Sequence, residues 1–191
     1  MFTHQVRPAA ILLVAFTLLL GLVYPAAITA LARLGFASQA EGSLLRVGDQ
    51  IVGSRLIGQA FSDDRYFWGR PSATAPQAYN GIASTGSNLG PLNPALLEQV
   101  KVNAKALRVA DPDHSAPVPV ELVSASASGL DPEISPAAAA YQIPRVARAR
   151  GLSVAQVTAM VGAQRQDRLL GFIGEPRVNV LELNLALDRK H

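Results

Sequence analysis

AAILLVAFTLLLGLVYPAAITALA, residues 9–32, is the stretch that decides how this chain is organised, because it contains no charged side chain. About 20 apolar residues in a helix cover the roughly 30 Å hydrocarbon core of a bilayer. Pro25 is expected to kink the last turns, since proline lacks a backbone donor. The sequence therefore predicts a transmembrane helix over residues 9–34, preceded by a short cytoplasmic tail over residues 1–8.

The same run has a second interpretation as a cleaved signal peptide, since Ala30, Leu31 and Ala32 form a small-x-small cleavage pattern. Its apolar length exceeds the core of about 7–15 residues found in signal peptides, which favours an uncleaved anchor. One arginine on each side gives little orientation bias, but a short amino-terminal tail is easily kept inside. We therefore expect a single-pass protein with a cytoplasmic amino terminus and an extracytoplasmic carboxy-terminal domain.

The rest of the chain has the composition of one folded domain. The protein has 191 residues, a mass of 20.1 kDa and a formal net charge of +3. Beyond the span, basic and acidic side chains nearly balance, so the clustered charge that nucleic-acid binding requires is missing. There is no cysteine, and two of the three histidines lie near the termini. Disulfides and thiol nucleophiles are excluded, and neither a metal site nor a nucleic-acid partner is expected.

The pattern beyond the span predicts an α+β fold, with a juxtamembrane connector over residues 35–45 and a single mixed domain over residues 46–191. Residues 47–58 read as one or two short strands. Residues 62–92 are rich in Ser, Gly, Pro and Asn and predict a long loop that its aromatic residues keep ordered. Three helix starts are predicted, at Asn93–Pro94, at Ser135–Pro136 and at the Ser153/Gln156 capping box.

Two elements leave alternatives open. Pro144 lies inside the second predicted helix of the domain, which is therefore either kinked or divided into two short helices. Residues 174–191 contain leucines that alternate as in a strand, but Asn179 and Glu182 fit the start of a helix. We prefer the helix.

No catalytic constellation emerges from the residues. His114 is the only histidine away from the ends, and a solvated loop histidine is favoured there over the triad of a hydrolase. Asp63 and Asp64 fit a capping role better than catalysis. Asp131 with Glu133 fits a turn better than an acid pair.

Anion-binding features are equally weak. STGSNLGP, residues 84–91, is rich in glycine and serine but lacks the lysine that reaches the phosphates in a P-loop. The arginines between positions 145 and 150 are as well explained by a solvated helix face near a helix end. A single span, a compact domain and no obvious enzyme chemistry are typical of an accessory subunit.

Four longer blocks carry a specific resemblance: FWGRPSA (67–73), STGSNLGPLNP (84–94), SASGLDPEISPAAAAYQIPRVARARGL (126–152) and GEPRVNVLELNLALD (174–188). In this order, and after one amino-terminal span, they resemble the C subunit of the Kdp-type potassium-transporting ATPase, a bacterial high-affinity potassium uptake pump. The resemblance covers nearly the whole chain.

The resemblance implies a non-catalytic, membrane-anchored accessory subunit of the bacterial inner membrane, needed for assembly and for coupling ATP hydrolysis to potassium import. The implied partners are a channel-like potassium-binding subunit, a P-type ATPase subunit and a small single-span peptide, with the lipid bilayer around the span. Potassium is then the ion that the complex transports. The chain has neither an Asp-Lys-Thr-Gly phosphorylation motif nor a Thr-Val-Gly-Tyr-Gly filter, so hydrolysis and ion selection are expected in the partners.

The resemblance also implies an alternative, a catalytic chaperone that raises the ATP affinity of the ATPase subunit by direct nucleotide contact or indirectly. A glutamine is implicated in that role, and by motif position it is Gln142. An external domain cannot touch cytoplasmic ATP, although coupling through the membrane needs no contact. No cofactor is expected on this chain itself, and ATP belongs to the complex.

Four residues are expected partner contacts if the chain is an accessory subunit: Phe67, Trp68, Asn88 and Asp131. They lie in the aromatic loop, in the glycine-rich segment after it and in the turn before the second helix of the domain. In the alternative, both aromatic rings belong to the core, and alanine variants lower stability instead of assembly.

Overall fold

The computed structural model describes residues 3–189, and the chain divides into two compact units that meet between Leu44 and Leu45. The first unit is helical and the second mixes helices with short strands. This arrangement confirms the α+β class with one amino-terminal membrane-length helix that the sequence predicts.

The first unit is built around one long helix. It consists of α1 (Thr3–Leu18), a π-helical turn (Leu19–Val23) and α2 (Tyr24–Gly35), followed by the short α3 (Ala37–Ala40). Residues 4–35 form the one described helix that is long and apolar enough to cross a membrane, and its side chains are exposed. Its 32 residues extend about 48 Å at 1.5 Å per residue, which exceeds the hydrocarbon core. The π-helical turn precedes Pro25, so the missing donor is accommodated by local rewinding.

A hairpin of β1 (Leu44–Val47) and β2 (Gln50–Ser54) starts at the boundary residue Leu44, and its two strands agree with the predicted one or two. Turns and bends then fill the chain as far as Asn93, as predicted for a long loop. Helix α4 (Pro94–Ala110) starts at the predicted cap, where the Asn93 side chain accepts from the Ala95 N–H. Only Leu107 of α4 is buried, so this helix lies mostly on the surface.

The remaining elements form the centre of the domain. They are β3 (Glu133–Ile134), α5 (Pro136–Arg150), α6 (Val154–Gln164), β4 (Arg165–Gln166), β5 (Arg177–Asn179) and α7 (Val180–Asp188). A small antiparallel sheet has the order β3-β5-β4, and Val178 of β5 stands opposite Ile134 on one side and Arg165 on the other. The hydrophobic core lies between α5, α6, α7 and β5, around Phe67, Val146, Val157, Val178, Leu183 and Leu187.

Local signals in the sequence explain where these helices begin and end. The Ser135 side chain caps α5, and Gly151 ends it in the left-handed conformation. The Ser153/Gln156 capping box is formed. Of the two alternatives for Pro144, the division into two short helices is wrong, because α5 continues through the proline as one helix. Asn179 caps α7, which confirms the preferred helix and places a three-residue strand before it.

Candidate functional site

Two buried side-chain amides hold the backbone of the aromatic loop. The Asn184 side chain on α7 accepts from the Phe67 N–H at 2.9 Å and donates to the Phe67 carbonyl at 3.0 Å. The Gln142 side chain on α5 does the same for the next residue, accepting from the Trp68 N–H at 2.8 Å and donating to its carbonyl at 3.0 Å. Both side chains are 1% exposed. Each amide pairs with both polar groups of one residue, which fixes the loop in register with both helices.

Arg145 completes this arrangement from one turn further along α5. Its guanidinium donates to the Gln142 side-chain oxygen at 2.8 Å and to the Asp64 carbonyl at 2.7 Å, and it lies 4.2 Å from the centre of the Trp68 ring. Burial lowers the pKa of Arg145 to about 10, against the opposing attraction of Asp64. We call the contacts that Gln142, Arg145 and Asn184 make with residues 63–68 the loop latch.

The start of the loop is held at the surface by a second arginine. Arg150 donates to the Arg65 carbonyl at 2.6 Å and to Asp188 at 2.7 Å, and it covers the Tyr66 ring at 4.9 Å. Hydrogen bonds from the Arg65 side chain and backbone lower the pKa of Asp63 to about 2. Loop residues 63–66 are therefore positioned from the end of α5 and from α7.

The glycine-rich segment around position 85 and the turn around position 129 pack against the end of this loop. The Ser72 hydroxyl donates to the Gly129 carbonyl at 2.7 Å, and Thr85 donates its N–H to the Ser128 carbonyl at 3.0 Å. Gly129 has a φ of +68°, and a Cβ there would stand 2.6 Å from the Thr85 carbonyl oxygen. Glycine is required for both reasons. The blocks around positions 70, 85 and 130 thus form one packed junction.

The predicted contact residues fall into two groups. Phe67 is 0% exposed, so the expectation that its ring offers a partner surface gives way to the alternative that it belongs to the core. Trp68 is half-buried, with its indole N–H donating to the Asp63 carbonyl at 3.0 Å. Asn88 is exposed, with a φ of +51°. Asp131 is half-buried and pairs with Arg70 at 3.2 Å.

The candidates for catalysis are not brought together. His114 lies edge-on to the Tyr141 ring at 4.5 Å, with its Nδ1 3.9 Å from Asp111. Burial raises the pKa of Tyr141. Among residues 3–189 there is no group of three or more histidine, cysteine or carboxylate side chains that could hold a metal ion.

The basic candidates for anion binding are occupied within the protein. Arg145 and Arg150 hold the aromatic loop, and Arg148 donates to Asp111 at 2.8 Å. The amide of Thr85 in the glycine-rich segment donates to Ser128. Gln142 itself presents no free amide edge to solvent, because its oxygen and nitrogen are both bonded to the Trp68 backbone. The latch is therefore a structural clamp in this conformation.

Comparison with known proteins identifies relatives of this chain. A family model described as KdpC, the K+-transporting ATPase c chain, matches residues 6–189. The chain belongs to the KdpC family. It is 60% identical to the potassium-transporting ATPase KdpC subunit of Sorangium cellulosum (strain So ce56), over 98% of each chain. It is 62% identical to the KdpC subunit of Variovorax paradoxus (strain S110), over 97% of this chain and 96% of the relative, and 59% identical to that of Methylococcus capsulatus (strain ATCC 33009 / NCIMB 11132 / Bath), over 97% of each.

Membership of the KdpC family confirms the resemblance carried by the four sequence blocks. The chain is accordingly a subunit of a potassium-transporting ATPase, and its amino-terminal helix fits a single-pass membrane protein. The structure adds that all four blocks meet, three at the loop latch and three at the Gly129 junction.

Sequence reasoning missed the partners of the latch. Asn184 lies among the leucines of LELNLAL, which drew no attention to it. The sequence pattern favoured a solvated helix face for Arg145. A polar amide at a position where the helix pattern calls for an apolar residue was the available signal, since buried polar groups are almost always hydrogen-bonded.

Proposed function

We propose that this chain is a non-catalytic, membrane-anchored accessory subunit of an ATP-driven potassium uptake pump. It serves assembly of the pump and coupling of ATP hydrolysis to potassium import. The observation that carries this proposal is the loop latch, in which buried polar side chains hold residues 63–68 in one shape. A surface fixed in advance loses little conformational entropy on association, which suits a docking role.

The membrane helix is the second part of the proposal. Gly21, Ala26 and Ala27 are small residues that allow another span to approach closely. We expect the helix to pack among the spans of the channel-like potassium-binding subunit, the P-type ATPase subunit and the small single-span peptide. The amino terminus is cytoplasmic and the α+β domain extracytoplasmic, at the bacterial inner membrane.

The proposed contact surface of the domain lies beside the latch. Trp68, Asn88 and Asp131 all retain solvent-exposed surface, whereas Phe67 supports the loop from beneath. A Trp68→Ala variant is expected to weaken assembly and to cost less stability than Phe67→Ala, because the Trp68 ring is only partly buried against the core whereas Phe67 is fully buried.

Assembly and coupling are tested by producing the remaining pump subunits with and without this chain. Without it, we expect loss of the purified complex and of potassium-stimulated ATPase activity, and recovery when the full chain is supplied in trans. Val154→Ser, which changes an exposed side chain on α6, serves as a control that restores both. A complex that assembles and hydrolyses ATP normally in the absence of the chain would overturn the proposal.

The alternative is a catalytic chaperone that raises the ATP affinity of the ATPase subunit, and the latch favours its indirect form. Direct contact through Gln142 requires the amide to leave both polar groups of Trp68 and the guanidinium of Arg145. Equilibrium binding of ATP to the purified full-length chain at millimolar nucleotide tests the contact. We expect no binding; saturable binding lost in Gln142→Leu, in a variant that stays folded, would establish direct contact.

Orientation is tested separately by protease digestion of the domain in spheroplasts and in inside-out vesicles. We expect cleavage from the outside only. Cleavage restricted to the cytoplasmic face would reverse the proposed topology and make direct nucleotide contact the leading mechanism.

A further inference from the structure

The connection between β4 and β5 carries an exposed apolar knob. Its four large apolar side chains all project into solvent: Leu169, Leu170, Phe172 and Ile173. Leu170 is 76% exposed and Phe172 is 72% exposed. Single exposed apolar residues are ordinary, but a contiguous group of this kind marks an interaction site. We call residues 169–173 the apolar tip.

The backbone of the apolar tip is tightly defined. Leu169 and Ile173 form an antiparallel bridge, with N–H to carbonyl distances of 2.9 and 3.0 Å. Between them, Leu170 has a φ of +55° and Gly171 a φ of +82°. Turns with two such residues favour Asn-Gly, because a bulky side chain is strained in the left-handed region. A leucine at this position gains no packing in the chain itself, so its side chain is explained by something outside it.

The charges around the tip indicate what that occupant is. Arg168 pairs with Glu175 at 2.6 Å, and Arg165 pairs with Asp167 at 2.7 Å, so the nearby arginines are matched by acids. A segment that binds an anionic bilayer surface presents unmatched lysine or arginine and favours Trp or Tyr at the headgroup level. The tip has neither, and a neutral apolar knob is complementary to a neutral apolar pocket on a protein.

We propose that the apolar tip docks into an apolar, uncharged pocket on the surface of a membrane-embedded partner subunit of the same pump. This inference rests on the accessory function proposed above and names the surface that carries it. Phe172 and Leu170 are the anchors, since aromatic and large aliphatic side chains dominate binding when they enter a pocket.

A second copy of the chain is a less suitable occupant. A knob needs a matching apolar concavity without charged side chains. The groove along α4 is bordered by Lys101, Lys105 and Arg108, and the cavity beside Trp68 includes Arg70. Those cations would be desolvated by an entering phenylalanine without gaining a carboxylate.

The first experiment replaces Phe172 with a photoreactive phenylalanine analogue in the full-length chain, produced together with the other subunits of its pump in the native membrane. We expect an adduct with a membrane subunit of the pump. Adducts with lipid alone, adducts with a second copy of this chain, or no adduct at all would each overturn the proposal.

The second experiment combines Leu170→Asn with Phe172→Ser, because asparagine tolerates the left-handed backbone. The matched control is Val102→Ser with Val109→Ser, which removes two similarly exposed side chains from α4. We expect the dissociation constant of the tip variant from the complex to rise at least tenfold, with an unfolding midpoint that does not fall, and the control to behave as the parent chain. Equal affinity for tip variant and parent, or an equal loss in the control, would refute the docking role.

The two proposals fail in different ways. If the pump requires the chain but accepts the tip variant with full affinity, the accessory function stands and the docking surface is wrong. If the pump assembles without the chain, the accessory function is wrong and the docking proposal falls with it.

Discussion

Replacing Asn184 by leucine removes both hydrogen bonds to Phe67 while keeping the same branched skeleton of side-chain heavy atoms. The Phe67 N–H and carbonyl then lose their partners in a part of the core where Phe67 is 0% exposed, so water cannot replace the amide easily. An unsatisfied buried donor or acceptor costs about 1–3 kcal/mol, so two of them lower the free energy of unfolding by about 2–6 kcal/mol. No cavity forms, because leucine has the same branched heavy-atom skeleton as asparagine and bulkier terminal groups.

Urea unfolding of the full-length chain in detergent micelles measures this loss. Trp68 is the only tryptophan and lies in the latch, so its fluorescence reports directly on the loop. With a denaturant dependence of about 2 kcal/mol per molar urea, the midpoint is expected to fall by about 1–3 M.

The matched control is Asn103→Leu, which removes one half-buried hydrogen bond to the Val123 carbonyl. It is expected to cost only about 0.5–1.5 kcal/mol. A midpoint for Asn184→Leu within about 0.3 M of the parent, or a loss no larger than that of the control, would show that the latch does not stabilise the loop.

Four further substitutions probe other features by the same unfolding assay. Gly129→Ala combines a left-handed backbone with a clash against the Thr85 carbonyl and is expected to cost about 2–5 kcal/mol. Gly171→Ala has a similar φ but open space around it, so about 1–2 kcal/mol is expected, and equal losses would contradict the clash. Burial raises the pKa of Tyr79 from 10.0 to about 12, so its stabilising effect is complete below pH 10 and is lost as the pH rises towards 12. Tyr79→Phe should therefore reduce the drop in midpoint between pH 9 and pH 11, and an undiminished drop would assign it to other groups. Phe67→Ala is expected to cost about 3–5 kcal/mol as a core truncation, whereas a folded variant that only fails to assemble would restore Phe67 as a contact residue.

The elements that the sequence predicted well are those defined by local signals. Asn93, Ser135 and Ser153 cap their helices as expected, because a cap depends on residues within one turn of it. The membrane-length helix is equally local, since its length and its lack of charge are visible in one window. The effect of Pro144 was harder to predict, because the packing of α5 decides whether the helix continues past the proline.

The site could not be predicted in the same way, because its contacts join distant parts of the chain. Asn184 and Phe67 are 117 positions apart, and Gln142 and Trp68 are 74 apart. No periodicity in the sequence encodes such pairs. The apolar tip was also missed, since LLGFIG gives no local sign that its side chains remain outside the core.

If Gln142 acts on the ATP affinity of the pump while the domain is extracytoplasmic, as proposed above, the latch provides an indirect route for that effect. Gln142 holds the Trp68 backbone and also accepts from Arg145, which in turn holds the Asp64 carbonyl and covers the Trp68 ring. Loss of the glutamine amide therefore releases the loop and leaves a buried guanidinium with one acceptor fewer, which is costly for a charge at that depth. A changed loop alters whatever subunit it contacts, and a change in affinity at a distant nucleotide site follows if that contact differs between states of the pump. Under this proposal, an effect of Gln142 on ATP affinity would pass through the shape of residues 63–68 and would require no bound nucleotide on this chain.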